Sequence, residues 1–473
     1  MFNLLDTHDH SRVGELSVNN KTIETPSMFY QNSFPGGGGD VNRFITYTDL
    51  MNNIIPVLHN YFYLSNRGTY KTRSGLLIED NESINTYMLR LRDFFCGQIQ
   101  IQTNKRQIST DPPWISNQHT YNNLTINDWD PITLLDSGSG NFLLTFIENL
   151  FDANNDAPSP ADVFAEFQNL TPEYFEFCDH HTFDIMMALD YAEKNTDKQW
   201  ADRQELQAIA NRMTHSAPAN LELLQESLRQ MQLKEHDFDV FAPIHGRDIA
   251  QFTGFTEQIL EMEQAIGQKF DGFGLAPPKD STERVRIVRA VRRTLEQNND
   301  TRPIHALGAG AIRDVIPLVF AGADMFDNAT SWRRATDGSG KVAKNVNDPD
   351  ATGSFSCFLI PLVDRNGEVI PTNQENVLGY ARLNKITTNF SCDCDICNEF
   401  SMHQIQELYS QGSGSEDFNF AKILCYNHAI NQYHFICGRL RNDIRDGVGV
   451  TNLVNEIVDP RLQNQTRDII ASI

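Results

Sequence analysis

The sequence has no apolar run near the roughly 20 residues that a membrane-spanning helix needs. Its opening, "MFNLLDTHDHSRVGEL", lacks the basic start and apolar stretch of a secretory signal. Cysteine is sparse: eight in 473 residues, five of them scattered at Cys96, Cys178, Cys357, Cys425 and Cys437. Scattered thiols are poor disulfide material, and together these absences lead us to expect a cytoplasmic protein with no membrane partner. Positive charge is also short, with 39 Lys and Arg against 62 Asp and Glu and a net charge of −23. Phosphate binding needs a local positive field, so the overall balance speaks against nucleic acid and leaves only local clusters to supply one. No repeat at solenoid spacing and no long low-complexity tract is present.

What is present suits a globular chain: 40% hydrophobic and 21% charged residues, long enough for one large domain with appendages or for two or three ordinary ones. The few positive charges are clustered. "STERVRIVRAVRR" holds Arg284, Arg286, Arg289, Arg292 and Arg293, and "SWRRATDGSGKVAK" and "GRLRNDIR" are basic too. Such clusters are either sites for a polyanion or solvated helix faces.

"RVGELSVNNKTIETPSMFY" reads as two strands around Asn19-Asn20, a hairpin that caps a larger fold. Residues 61–130 are polar and irregular, with a weak helix near "NESINTYMLRLRDFF". From residue 131, short apolar runs alternate with helix-like segments. The runs are "PITLLD", "FDIMMALD", "FDVFAPIHG", "FDGFGLA", "IHALGAG" and "ADMFD". Nearly continuous apolar strands between helices mean parallel strands buried on both faces. The expected fold is therefore an α/β (β/α)8 barrel, with a doubly wound open sheet as the alternative. The runs end in Asp136, Asp190, His245, Gly274, Gly308 and Asp327. A strand-end carboxylate is often only a helix N-cap, but the carboxyl ends of barrel strands share one face, where active sites are built.

Beyond Asp327 the rhythm stops. "FSCFLIPLVDRNGEVIP" reads as a hairpin turning at Asn366-Gly367, and "SCDCDIC" places Cys392, Cys394 and Cys397 within one tight loop ahead of a helix. Such thiolates favour tetrahedral Zn2+ over an iron–sulfur cluster. The helix offers Cys425, His428, His434 and Cys437 as a fourth ligand. His428 is the first choice and His434 the second, giving a closed, structural Cys3His site. The expected organisation is a barrel with its N-terminal hairpin over 1–355 and 446–473, and an inserted zinc-binding subdomain over 356–445.

The Cys-x-Cys-x-x-Cys and helical His, following a parallel barrel with "DSG", "MALD", "GLA", "GAG" and "GADMFD", resemble the tRNA-guanine transglycosylases. The opening "IETPSMF" is similar as well, and the likeness runs from about residue 12 to 445. It implies replacement of guanine in nucleic acid by a 7-deazaguanine. Carried over, Asp327 matches the nucleophile, Asp136 the general acid/base, and Asp190 the carboxylate that reads the base edge. Gly274-Leu275-Ala276 and Gly308-Ala309-Gly310 match backbone that closes over the base, and Asn60 matches a sugar-side asparagine. Cys392, Cys394, Cys397 and His428 match the zinc ligands. Exchange without inversion needs two displacements at one carbon, hence one carboxylate to attack and one to move a proton.

The sequence departs from the pattern of the tRNA enzymes where substrate is met. Asn328 stands for a Cys, Ser331-Trp332-Arg333 for Pro-Thr-Arg, and His245 for a base-reading Gln. "DSGSGNF" has one residue more than "DSGGF", which shifts the base-stacking Phe142. These departures resemble the branch that inserts 7-deazaguanines, such as 7-cyano-7-deazaguanine, into DNA. Arg333 and Arg334 would then hold the phosphate backbone with the arginines of "GRLRNDIR", and partner proteins could open the duplex. The alternatives are a divergent enzyme acting on tRNA and a catalytically silent subunit that only positions nucleic acid.

Overall fold

The protein is described here by a computed structural model covering residues 1–31, 56–64, 78–88, 130–138, 147, 159–191, 208–209, 217–276, 280–309, 312–327, 433–458 and 460–473. Strands β1 (Phe2–His8), β2 (Ser11–Val18) and β3 (Lys21–Thr25) form an antiparallel sheet in that order. The β2–β3 turn is Asn19-Asn20, both at positive φ, a conformation asparagine tolerates better than most residues. The second arm of the expected hairpin is two strands, not one. Pro26 has no N–H to continue a ladder, and the chain leaves the hairpin there to begin the barrel.

Eight parallel strands close that barrel: β4 (Ser27–Gln31), β5 (Val57–Asn60), β6 (Thr133–Asp136), β7 (Ile185–Met187), β8 (Asp239–Ile244), β9 (Gly272–Leu275), β10 (Ile304–Ala306) and β11 (Met325–Asp327). Pairing of Met325 with Ser27, Phe326 with Met28 and Asp327 with Phe29 joins the last strand to the first, which excludes the open sheet. Helices follow the strands, among them Pro160–His180, Ala217–Leu233, Ile249–Ile266, Ser281–Gln297 and Ile312–Phe320. Their starts carry the expected chemistry. Ser159 and Asp162 form a reciprocal capping box, and Asp248 and Asp280 each accept from the backbone N–H three residues on. Among the described residues no helix is long and apolar enough to cross a membrane.

Alternation along the strands divides the core in two. Phe29, Leu58, Leu134, Ile185, Met187, Phe241 and Met325 fill the barrel interior together with Leu16, Val18 and Ile23 of the hairpin. Their neighbours Leu135, Met186, Ala242, Phe273, Ile304, Ala306 and Phe326 pack in the larger cluster shared with the helices. The hairpin closes the amino end of the barrel. Lys21 binds Asp184 and the Pro131 carbonyl, and Asn19 donates to Asp184, all at residues that precede strands β6 and β7.

Two of the three basic clusters are structural. Within helix Ser281–Gln297, Arg284 pairs with Asp314 at 2.6 Å and Arg289 with Glu296 at 3.1 Å. Arg292 is fully buried, 2.7 Å from Asp324, and donates to the carbonyls of Gly322 and Arg302. Arg12 meets the other oxygen of Asp324 at 2.7 Å. Burial, and then Arg12, lower the Arg292 pKa to about 9, so it stays cationic at neutral pH. These arginines repeat at helical spacing; Arg284 and Arg292 offset the buried carboxylates of Asp314 and Asp324, whereas Arg289 pairs with the exposed Glu296 of its own helix. From "GRLRNDIR", Arg441 donates to the Pro26 carbonyl at 2.8 Å, and both Arg441 and Arg445 pair with Glu24. Glu24 and Pro26 precede β4, so these two cations sit at the amino end of the barrel, away from the face carrying the strand-end aspartates.

Candidate active site

The period of two that sorts the core also aims the strand-end side chains. On β11, Met325 points inward and Phe326 outward, so Asp327 points inward at the carboxyl end. The same step carries Leu58 to Asn60 on β5 and Leu134 to Asp136 on β6. Asp190 lies three residues past β7, and His245 directly follows β8. Three strand ends and the segments just past two other strands thus bring Asn60, Asp136, Asp190, His245 and Asp327 to one end of the barrel.

Asp136 is half-buried at its strand end. Asn60 Nδ2 donates to its Oδ2 at 3.2 Å, and the Gly138 N–H bonds to it as well. Gly138 has φ of +65°, and a Cβ there would stand 2.3 Å from Asn60 Oδ1, so this turn demands glycine. Ser137 Oγ lies 3.3 Å from Asp190 Oδ1. "DSG" is therefore one device, in which the serine ties Asp136 to its neighbour carboxylate and the glycine turns an N–H back onto it. Burial first, then the charges of Asp190 and Asp327, raise the Asp136 pKa to about 7, against the pull of Gly138 and Asn60.

Asp190 is buried and has His245 Nε2 2.8 Å from its Oδ2. Tyr174 stands behind both carboxylates, its hydroxyl 3.0 Å from the Leu135 carbonyl and 2.9 Å from that of Met187. Asp327 is buried, with Oδ1 accepting from the Gly308 N–H at 2.9 Å and lying 3.0 Å from His305 Nε2.

The two glycines named from sequence have different physical reasons. Gly308 has φ of +61° and open space where a Cβ would be. Gly274 is tight, since a Cβ would lie 2.5 Å from Met187 Sδ, so its smallness answers packing beneath the site. Leu275 turns its side chain into the helix layer, and its carbonyl accepts from Leu307 N at 2.7 Å. Ala276 is exposed and Ala309 buried. His305, which sequence reasoning passed over inside "IHALGAG", is the residue that touches Asp327. The signal was a lone polar side chain between Ile304 and Ala306 in an apolar strand.

Phe142, Asn328, Arg333, Arg334, Cys392, Cys394, Cys397 and His428 lie outside the described residues, as do Gly310, Ser331, Trp332, Cys425 and the hairpin at Asn366-Gly367. His434 is described and partly buried, in a helix over 433–445. On the same helix Cys437 is buried in the core, its thiol pushed up to about 11 chiefly by burial. Among the described residues, no group of three His, Cys, Asp or Glu side chains could hold a metal.

The fold and the rim define a class, a (β/α)8 protein whose carboxyl face gathers three aspartates with distinct partners. A family model described as queuine tRNA-ribosyltransferase matches residues 122–459, more than half of the chain, and the chain belongs to that family of pentosyl transferases. Comparison with curated proteins gives no match. The matched range takes in β6 to β11, whereas β4, β5 and Asn60 precede it.

Proposed function

We propose that the protein is a guanine transglycosylase that exchanges guanine in nucleic acid for a 7-deazaguanine by double displacement. The observation that carries this reading is the pairing of unlike carboxylates: Asp136 has its pKa raised to about 7, and Asp327 is tethered, among the described residues, through Oδ1 alone. Asp327 attacks C1′ of the nucleotide, and the C1′–N9 bond breaks. The electron pair goes to the leaving guanine, which takes a proton from Asp136. The incoming base then gives a proton to Asp136 and displaces the Asp327 ester, so the sugar configuration is retained. Asp190 accepts from the donor edge of the base, and His245 at 2.8 Å orients that carboxylate and reads the base beside it. Asn60, proposed from sequence on the sugar side, here also holds Asp136. The base must leave its stack to reach this depth, with Gly308 and the backbone near Leu275 closing over it and Phe142 stacking on it.

We favour DNA over tRNA as the substrate. The support is the set of substituted contact positions, Asn328, Ser331-Trp332-Arg333 and His245, set against Asp136, Asp190 and Asp327, which this chain keeps in its likeness to the tRNA enzymes. The family description favours tRNA instead. Incubating the protein with labelled guanine and either DNA or tRNA decides: label entering only tRNA overturns the DNA reading, and label entering neither overturns exchange itself. A structural zinc on Cys392, Cys394, Cys397 and His428 completes the proposal. Its thiolate-rich donor set leaves no open position, and its contribution is to fold the segment after β11 and not to the chemistry.

A further inference from the structure

Asp327 has two oxygens with unlike surroundings. Oδ1 takes the Gly308 N–H at 2.9 Å and faces His305 Nε2 at 3.0 Å, whereas among the described residues Oδ2 takes no hydrogen bond. His305 is fully buried and sits mid-strand on β10, paired with Met325 and Gly274. Its neighbours Ile304 and Ala306 belong to the outer layer, so its ring points into the barrel, where Phe29 packs edge-on at 5.1 Å. Among the described residues Nδ1 has no hydrogen-bond partner. A carboxylate oxygen can only accept, so the ring must carry its proton on Nε2. A second proton on Nδ1 would be a buried donor with nothing to meet.

We propose that His305 is the positioning residue of the covalent step: with the Gly308 N–H it pins Oδ1, leaves Oδ2 as the attacking atom, and stabilises the carboxylate as it departs from the sugar. In the first displacement the Oδ2–C1′ bond forms and Oδ1 becomes the ester carbonyl. In the second that bond breaks, and its electron pair returns to the carboxylate. Both donors bind a carboxylate oxygen more strongly than an ester carbonyl, so they speed ester breakdown and limit its accumulation. This inference rests on the proposed function, because it takes Asp327 as nucleophile.

The test uses the full chain, with DNA and tRNA each incubated with labelled guanine, and two readouts: exchange kinetics and the fraction of enzyme covalently joined to nucleic acid on a denaturing gel. For His305→Phe we expect kcat to fall on the order of 100-fold, as for loss of one charge-stabilising donor. The joined fraction should rise, and KM for nucleic acid should fall with kcat, because slower ester breakdown lets the covalent species accumulate. His305→Gln, which keeps an N–H of similar reach, should restore most of the rate, and His305→Met replaces the Phe variant if that does not fold. An unchanged joined fraction in the apolar variants, or Gln behaving like them while folded, overturns the role of His305. If the wild-type protein forms no joined species that Asp327→Asn removes, the nucleophile assignment itself falls, which separates the two failures.

Discussion

Asp136 holds its proton at pH values where an exposed aspartate has long lost it. Its pKa is raised from 3.8 to about 7, so the folded state binds more protons than the unfolded one between those values. The resulting stability is fully present below 3.8 and is lost as pH rises through 7. Asp136→Asn, which carries no charge, should therefore be more stable than the wild type at pH 8 by roughly 1–3 kcal/mol, with the gap closing toward pH 4. Urea unfolding at the two pH values measures this, and an equal stability at pH 8 would contradict the burial of charge. The same variant should be inactive, and wild-type exchange should decline above about pH 7 as the acid form is used up. Asp327→Asn is the complement. The amide can still accept from Gly308 at Oδ1 but cannot attack, so exchange should vanish while stability stays within about 1 kcal/mol. Retained exchange in this variant would remove Asp327 from the nucleophile's role.

At the scale of elements, the informative case is helix Ser281–Gln297. Its five arginines read in sequence either as a polyanion site or as a solvated face, and the three at Arg284, Arg289 and Arg292 are neither. Helical spacing alone cannot say which carboxylates lie opposite; Asp314 and Asp324 come from later elements and meet them only in the closed barrel. Arg292→Met should cost roughly 3 kcal/mol or more, because it strands the carbonyls of Gly322 and Arg302 and unbalances Asp324. Thermal or urea unfolding reads that loss. The slope of nucleic-acid affinity against salt should stay as in the wild type, and a flattened slope would return this helix to the binding surface. The hairpin shows the converse: its turn was legible in Asn19-Asn20, but its second arm is split by Pro26 between two sheets, and only the partner strands decide which half pairs where.

For the whole molecule, the expectations concern metal and substrate. One zinc per chain should be found by metal analysis, and Cys394→Ser should lose metal and stability together, since structural zinc binding is folding free energy, on the order of 10 kcal/mol in small zinc domains. Loss of exchange with the fold intact after chelation would instead mark the metal as catalytic. With net charge −23 and the Arg441 and Arg445 cations engaged at the amino end, nucleic-acid affinity should depend on few cations. Arg333→Ala should then weaken binding to all sequences alike and flatten the salt slope by about 0.9 for duplex or 0.7 for single strands. An unchanged slope would take Arg333 off the phosphate backbone.

The alternation of apolar runs and helices was enough, by itself, to expect parallel strands, in a barrel or an open sheet, and to place Asp136 and Asp327 at strand ends and Asp190 just beyond one. Strand period and helix caps are local, and they are written in consecutive residues. The family was reached by resemblance, through Cys-x-Cys-x-x-Cys, "DSG", "MALD" and "GADMFD", motifs that each keep their local order. Closure of the barrel required β11 to pair with β4, whose residues lie some 300 positions apart in the chain. The partners of the aspartates were likewise beyond reach of the sequence: Asn60 and Gly138 on Asp136, His245 on Asp190, and His305 with Gly308 on Asp327. Each pairing joins side chains from different strands or loops. The raised pKa of Asp136 depends on burial and on two charges brought near it only when the barrel closes. Residue type and spacing thus named the candidate groups, whereas the raised pKa of Asp136 and the hydrogen bonding of Asp327 Oδ1 are set by tertiary contact.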